Sequence, residues 1–436
     1  DQDFNKNTAS DEDITIASTL VPAMQIGSPL SLGNDTTVQA PGTAINGLEG
    51  NATSVSSFSK IASVASSYVG TGGDPDRVDI TSDITVTELI ALNDSGRYAF
   101  VNYDITSLTS DTVITGLTFT DNVNNNTVAT TNSTALLVKG LEAIEINGLQ
   151  AGVGSATNGA QLVNINFTTT PAVAAGDDFY VDFFSFRSDD SARANNAIYR
   201  LYLEESDDNT GEFTGSVEYL MLNQLNTNKA ATYSDWLVTA SDEINIIVHE
   251  DLTDEDSPRI NYLDLGADGV STQIADQVEA PSHSGVVSLD SDNYKIADTV
   301  VVTLDDQDLN TDSELIDVYI TSTDDLVGDG SGDHVLDITF DDLTWTSKAI
   351  GSCTGTITGD DGLGATGFTL VESDVASGIF TGSFQVPTNY CNSSSDTIVG
   401  VTGTDIEVNY NDFRDASGET IEVGDGASIN ANTGSV

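Results

Sequence analysis

The sequence predicts an all-β chain of tandem β-sandwich domains, and three observations carry that prediction. The first is an internal echo: ESDDNTGEFTGS (205–216) and ESDVASGIFTGS (372–383) agree at eight of twelve positions, 167 residues apart. A repeated stretch of this kind marks a repeated structural unit. The second is alternation after each echo. Phe380, Gly382, Phe384 and Val386 fall on one face, Ile379, Thr381, Ser383 and Gln385 on the other. Phe213, Gly215, Val217 and Tyr219 oppose Glu212, Thr214, Ser216 and Glu218 in the same way. A period of two reads as a half-buried strand. The third is the regular recurrence of short Val-, Ile-, Thr- and aromatic-rich runs between turn signals.

Taken in order, residues 1–75 read as a polar N-terminal arm followed by a weakly structured or small β-region. Within it, 58–69 (FSKIASVASSYV) fits one short helix. The chain opens on Asp1 without Met or a signal peptide, the expectation for a mature or trimmed product. A first β-domain is expected over 76–175, with strands near 78–92, 98–106, 113–120, 135–138, 143–146 and 161–168. A second is expected over 176–285, containing the first echo and ending in an acidic connector from 250. A third is expected over 286–428. In its last strand Ile406, Val408 and Tyr410 face one way, and Glu407, Asn409 and Asn411 the other. The Gly-, Ser- and Asn-rich end from Asp425, and 429–436 in particular, reads as a linker or tail.

Charge narrows the function. The chain has 69 acidic and 13 basic residues, a net charge of −56. That excludes a partner made of phosphates, so no nucleic acid is expected, nor an anionic membrane surface. No apolar run is long enough to span a bilayer, so no transmembrane segment is expected. Like charges in this number repel in dilute buffer. Near seawater ionic strength the Debye length is roughly 3–5 Å and the repulsion is screened. The expectation is a protein that lives in salt, outside a cell. A cytosolic protein of a salt-accumulating halophile is the competing reading.

Several stretches carry chemistry. In DQDLNTD (306–312), Asp306, Asp308, Asn310 and Asp312 offer oxygen donors at alternate positions, as Ca²⁺ requires. Thr311 stands where an EF-hand needs Gly and Asp317 where it needs Glu, so an EF-hand is not expected. A metal-binding turn competes with a solvated acidic turn. A second acidic, Gly-rich stretch offers Asp324, Asp329 and Asp333. Asp207 and Asp374 in the echoed turn read as backbone caps rather than ligands. Cys353 and Cys391 fall in one domain and suggest a disulfide, with free buried thiols as the other reading. Asn34, Asn51, Asn93, Asn125, Asn132, Asn166 and Asn392 each begin an Asn-x-Ser/Thr triplet, a candidate glycosylation site. Seven is about the number that random order gives in so polar a chain, so the count adds nothing. His249, His283 and His334 are far apart and fit no metalloprotease motif. Catalysis is not expected.

The run 293–310 (NYKIADTVVVTLDDQDLN) resembles the opening of an Ig-like repeat in archaeal surface-layer glycoproteins. The ESD…G.FTGS stretch resembles the later part of that repeat. The acid-rich, Lys-poor composition is most similar to the surface-layer proteins of ammonia-oxidising marine archaea. The likeness covers about 176–428; residues before 176 share only composition and β-character. It implies tandem Ig-like β-sandwich domains and secretion to the cell surface. It also implies self-association into a porous, often hexagonal lattice, and divalent cations, Ca²⁺ first, on acidic turns. Pores so lined would favour small cations such as ammonium. An adhesin, fibre subunit or virion spike is the first alternative, and an exported carbohydrate-active enzyme the second.

Overall fold

The computed structural model describes residues 1–7, 9–14, 23–26, 30–31, 37–39, 62–63, 77–82, 97–104, 113–121, 126–130, 136–137, 144–145, 161–167, 174, 177–187, 195–223, 225, 238–248, 251–321, 335–345, 362–392, 395 and 397–431. The fold is all-β: strands form several sheets, and among the described residues no helix reaches seven residues. The chain divides into two compact units rather than three domains. Unit 1 is 1–219 with 229–247 and 259–277; unit 2 is 220–228 and 248–258 with 278–436.

Unit 2 is a β-sandwich of two five-stranded sheets. One sheet has the order Val286–Leu289, Thr299–Asp305, Ile379–Gln385, Thr369–Glu372, Val318–Ile320. The other has Asn293–Tyr294, Ile421–Ile429, Asp405–Asp412, Leu336–Phe340, Leu343–Thr344. Val300, Val302, Leu304, Phe380 and Phe384 from the first meet Leu336, Ile338, Phe340, Ile406 and Val408 from the second in one core. Trp345 lies in that core, edge-on to Phe340. The alternation expected after the second echo is observed: Phe380, Gly382 and Phe384 are buried and their neighbours exposed. A Cβ on Gly382 would stand 2.7 Å from the Phe368 ring and from Thr369 O, so only Gly admits that close approach.

Unit 1 holds larger sheets. Asp178–Arg187 pairs residue for residue with Arg97–Asp104. The boundary expected near 176 therefore cuts a sheet. Two strand-forming runs with further strands between them in sequence read as belonging to different domains, yet they are neighbours. The N-terminal arm is also woven in: Ala23–Ile26 pairs with Asn195–Leu201, Leu30–Ser31 with Asp178–Arg187, and Thr37–Gln39 with Arg77–Ser82. Ala62–Ser63 is a strand on Asp178–Arg187, not part of a helix. Sheet pairing supplies what local propensity does not. Asp182 is buried here and bound bidentately by Arg200, at 2.7 and 2.9 Å.

Two further expectations change. The acidic connector from 250 contains a hairpin, Arg259–Leu265 with Ser271–Gln277, that belongs to unit 1. The first five residues of the supposed linker, 425–429, lie inside the strand Ile421–Ile429, which pairs along the whole of Asp405–Asp412, and 432–436 lie outside the described residues. One of the strand's glycines serves packing: a Cβ on Gly424 would collide with the Asn409 side chain.

Candidate functional site

The echoed turn takes the same form in both units and shares most of its hydrogen bonds. Glu205 and Glu372 are 5% and 2% exposed. Each folds its carboxylate into its own turn: Oε1 accepts from Gly211 N at 2.6 Å in one and from Gly378 N at 2.9 Å in the other. Thr210 Oγ1 and Ser377 Oγ reach the same oxygens. Ser206 N donates to Glu212 O and Ser373 N to Ile379 O, both at 2.8 Å. Gly211 and Gly378 have φ of 64° and 61°, and Asn209 and Ala376 have 60° and 57°, left-handed conformations that close the loop. Asp207 and Asp374 are exposed and accept the next residue's amide, as the capping reading expects.

A second, shorter element repeats with it, and sequence reasoning missed this copy. Asp1-Gln2-Asp3-Phe4-Asn5 matches Asp306-Gln307-Asp308-Leu309-Asn310. Both form one 3-10 turn, Gln2–Phe4 and Gln307–Leu309, capped by the first Asp. Asp1 N donates to Gly211 O at 2.6 Å, and Asp306 N to Gly378 O at 2.8 Å. Gln2 donates to Thr210 O and Gln307 to Ala376 O. Tyr262 donates to Asp1 Oδ2, and Tyr410 to Asp306 Oδ2. Further along, Lys6 N donates to Glu12 and Thr311 N to Asp317. Glu205 N donates to Glu12 O at 2.9 Å, and Glu372 N to Asp317 O at 3.0 Å. Each unit thus carries one acidic latch made of two docked turns and a tyrosine.

The latches differ in burial. Asp306, Asp308 and Asp412 are 2%, 4% and 2% exposed. Asp306 accepts from Asp308 N at 2.9 Å and from the Tyr410 hydroxyl. Asp308 accepts from His283 N with both oxygens, at 3.1 Å each, and lies 2.9 Å from His283 Nδ1. Asp412 accepts from Gly285 N at 2.8 Å and Arg414 N at 2.9 Å. Burial, reinforced by neighbouring carboxylates, pushes Asp306 up to about 7 and Asp308 up to about 8. Asp412 is raised by burial, with Asp415 adding to it. Asp182 has an Arg against it; among the described residues this cluster has only His283 within ion-pair distance. Its chemistry is proton holding near neutral pH.

The four residues of the expected calcium turn face different partners. Asp306 and Asp308 do converge, on Asp412 rather than on Asn310 and Asp312. Asp312 caps Glu314 N and Leu315 N at 2.9 and 3.1 Å. Asn310, with its amide turned to satisfy its neighbours, donates to Asp317 at 3.3 Å and accepts from Gln307 at 3.2 Å. The 3-10 turn aims alternate side chains apart, which spacing alone did not reveal. Among the described residues no three His, Cys, Asp or Glu side chains converge as a metal site. Asp324, Asp329 and Asp333 lie outside the described residues, as do Asn34, Asn51, Asn93, Asn125, Asn132, His249, His334 and Cys353. Asn166 sits in the strand Gln161–Phe167. Asn392 ends the strand Asn389–Asn392 and accepts from Ser395 N at 3.1 Å. Cys391 is buried and disulfide-bonded.

No protein-family model matches the chain, and no curated protein matches it. Among solved structures, one similar chain is the type II cohesin dyad from the adaptor ScaA scaffoldin of Acetivibrio cellulolyticus. The identity is 7% and the TM-score 0.10, over 80% of this chain and 90% of that one. A likeness that weak says nothing about function.

Proposed function

We propose that the chain is a structural subunit of an archaeal surface layer, tiling the cell exterior as a porous and strongly acidic lattice. The observation that carries this reading is the net charge of −56 on an all-β chain containing a compact sandwich. Such a surface sets a negative potential around any pore between subunits, concentrating cations and excluding anions. Divalent cations, Ca²⁺ above all, neutralise the acidic turns and bridge neighbouring subunits. The chain has no catalytic role in this reading. Its β-rich, acidic build also suits the resemblance to surface-layer repeats.

Electron microscopy of the purified protein at about seawater ionic strength, with and without Ca²⁺, tests the reading. Periodic sheets should form with Ca²⁺ and dissolve on chelation. Fibres or single spikes would favour the adhesin class, and isolated particles under every condition would contradict the lattice.

A further inference from the structure

The two latches form an internal comparison, and one of them is chemically incomplete. In unit 2 every oxygen of the Asp317–Glu372 pair has a donor. Thr311 Oγ1 donates to Asp317 Oδ1 at 2.6 Å, Thr311 N to Asp317 Oδ2 at 2.6 Å, and Asp317 N to Glu372 Oε2 at 3.1 Å. In unit 1 the counterparts are Glu12 and Glu205. Lys6 stands where Thr311 would bring its hydroxyl. Among the described residues neither Glu12 Oε1 nor Glu205 Oε2 has a hydrogen-bond donor, and both are shut away from solvent. Asn5 Oδ1, on the adjoining turn, is in the same condition.

The fold brings the three residues that carry these oxygens to the same pair of docked turns. Asp13 and Ile14 pair antiparallel with Glu204 and Leu203, so Glu12 and Glu205 stand opposite each other on one face. Asn5 is tied to the same turn by its amide, which donates to Asn209 Oδ1 at 2.9 Å. Its neighbour Lys6 donates its backbone N–H to the other Glu12 oxygen at 2.9 Å. Glu205 itself is 5% exposed, so its free oxygen cannot turn to water. Two opposed carboxylates and an amide oxygen, all acceptors, are a costly arrangement without a positive partner. A hard divalent cation takes oxygen ligands of just these kinds.

We propose that unit 1 binds one Ca²⁺ between its two docked turns, through Glu12 Oε1, Glu205 Oε2 and Asn5 Oδ1, with water completing the shell. Unit 2 replaces that ion with the hydroxyl of Thr311 and the amide of Asp317. Three protein oxygens make a weak site, of the order of 10⁻⁴–10⁻³ M, suited to a calcium-rich exterior. The proposal rests on the cation-binding half of the function above and is independent of the lattice.

The test uses the full chain, stripped by chelator and kept monomeric. Calcium titration calorimetry is run in about 0.5 M NaCl, which suppresses diffuse binding to the acidic surface. Glu12→Gln places an N–H donor in the pocket, and Glu205→Gln keeps the acceptor for Gly211 while neutralising the free oxygen. Both variants should fold and lose one calcium equivalent, or at least tenfold in affinity for it. Asp13→Asn, exposed on the next residue, removes the same charge outside the pocket and should bind as wild type. The proposal is overturned if wild type takes up no calcium. It is equally overturned if the pocket variants bind as Asp13→Asn does. Sheets in the microscope with no loss of calcium in the variants would sink this site and leave the lattice standing.

Discussion

Replacing Glu372 by Ala should destabilise unit 2 by about 4 kcal/mol, among the largest losses a single side chain can cause here. The carboxylate is 2% exposed and receives four donors: Ser377 N at 2.8 Å, Ser377 Oγ at 3.4 Å, Gly378 N at 2.9 Å and Asp317 N at 3.1 Å. Hydrogen bonds to a charged acceptor contribute roughly 1.5–3 kcal/mol each, and a buried donor left bare costs about 1–3 kcal/mol. The backbone amides of the turn cannot all swing to water, because Gly378 is pinned by Asp306 and packed against Gln307. Asp374→Ala, on the exposed tip of the same turn, should cost about 0.5–1 kcal/mol, since Val375 N–H is free to meet water. Urea unfolding of the two variants checks the contrast. Equal midpoints would mean the buried carboxylate is not what closes the turn.

Raising the pH from about 4 to about 8 should lower the melting temperature of the metal-free protein by about 5–10 °C. The cause is the unit 2 cluster, where burial holds Asp306 up to about 7 and Asp308 up to about 8 against an ordinary value of 3.8. Between the ordinary and the raised values the folded state holds protons that the unfolded state has released. Stability is therefore full below pH 4 as far as these groups are concerned, and is lost as pH rises through 7 and 8. The groups facing Asp308 are Asp412, Asp251 and His283, and those facing Asp306 are Asp308, Asp412 and Tyr410. Asp290 and Asp415 act oppositely: hydrogen bonds lower them, so their contribution is present above the ordinary value and lost as pH falls below it. An optimum at mildly acidic pH follows. Asp308→Asn keeps an oxygen for His283 N and removes one titrating group, so its melting temperature should fall visibly less over the same range. A curve for Asp308→Asn that overlays wild type would remove the cluster as the source.

Period-two alternation and turn chemistry were enough to read the two strands that carry Phe380, Phe384, Ile406, Val408 and Tyr410, and the inward faces of those residues. Those signals are local, and sandwich strands obey them because one face must be apolar. The division of the chain was not legible. Asp1 and Gly211, which touch, are 210 positions apart, whereas Asp306 and Gly378 are 72 apart (378 − 306). The sheets that unit 1 inserts between its two turns hide a duplication that unit 2 displays almost intact. The acidic site was half legible for a related reason. Spacing pointed to Asp306 and Asp308, but Asp412 and His283 reach them only through sheet topology. Nor could spacing tell that Lys6 for Thr311 leaves Glu12 Oε1 without a donor, because the meaning of that exchange lies in a neighbour across the sheet.

All of this depends on positive ions in solution compensating a chain whose own cations are too few. The most direct measurement is the melting temperature of the chelated protein at pH 8 as NaCl is raised from about 10 mM to about 0.5 M, shortening the Debye length from roughly 30 Å to roughly 4 Å. With 69 acidic residues against 13 basic ones, the midpoint should climb by 5 °C or more, as an order of magnitude. A midpoint that stays level or falls as salt is added would show that the fold carries its surplus charge unaided.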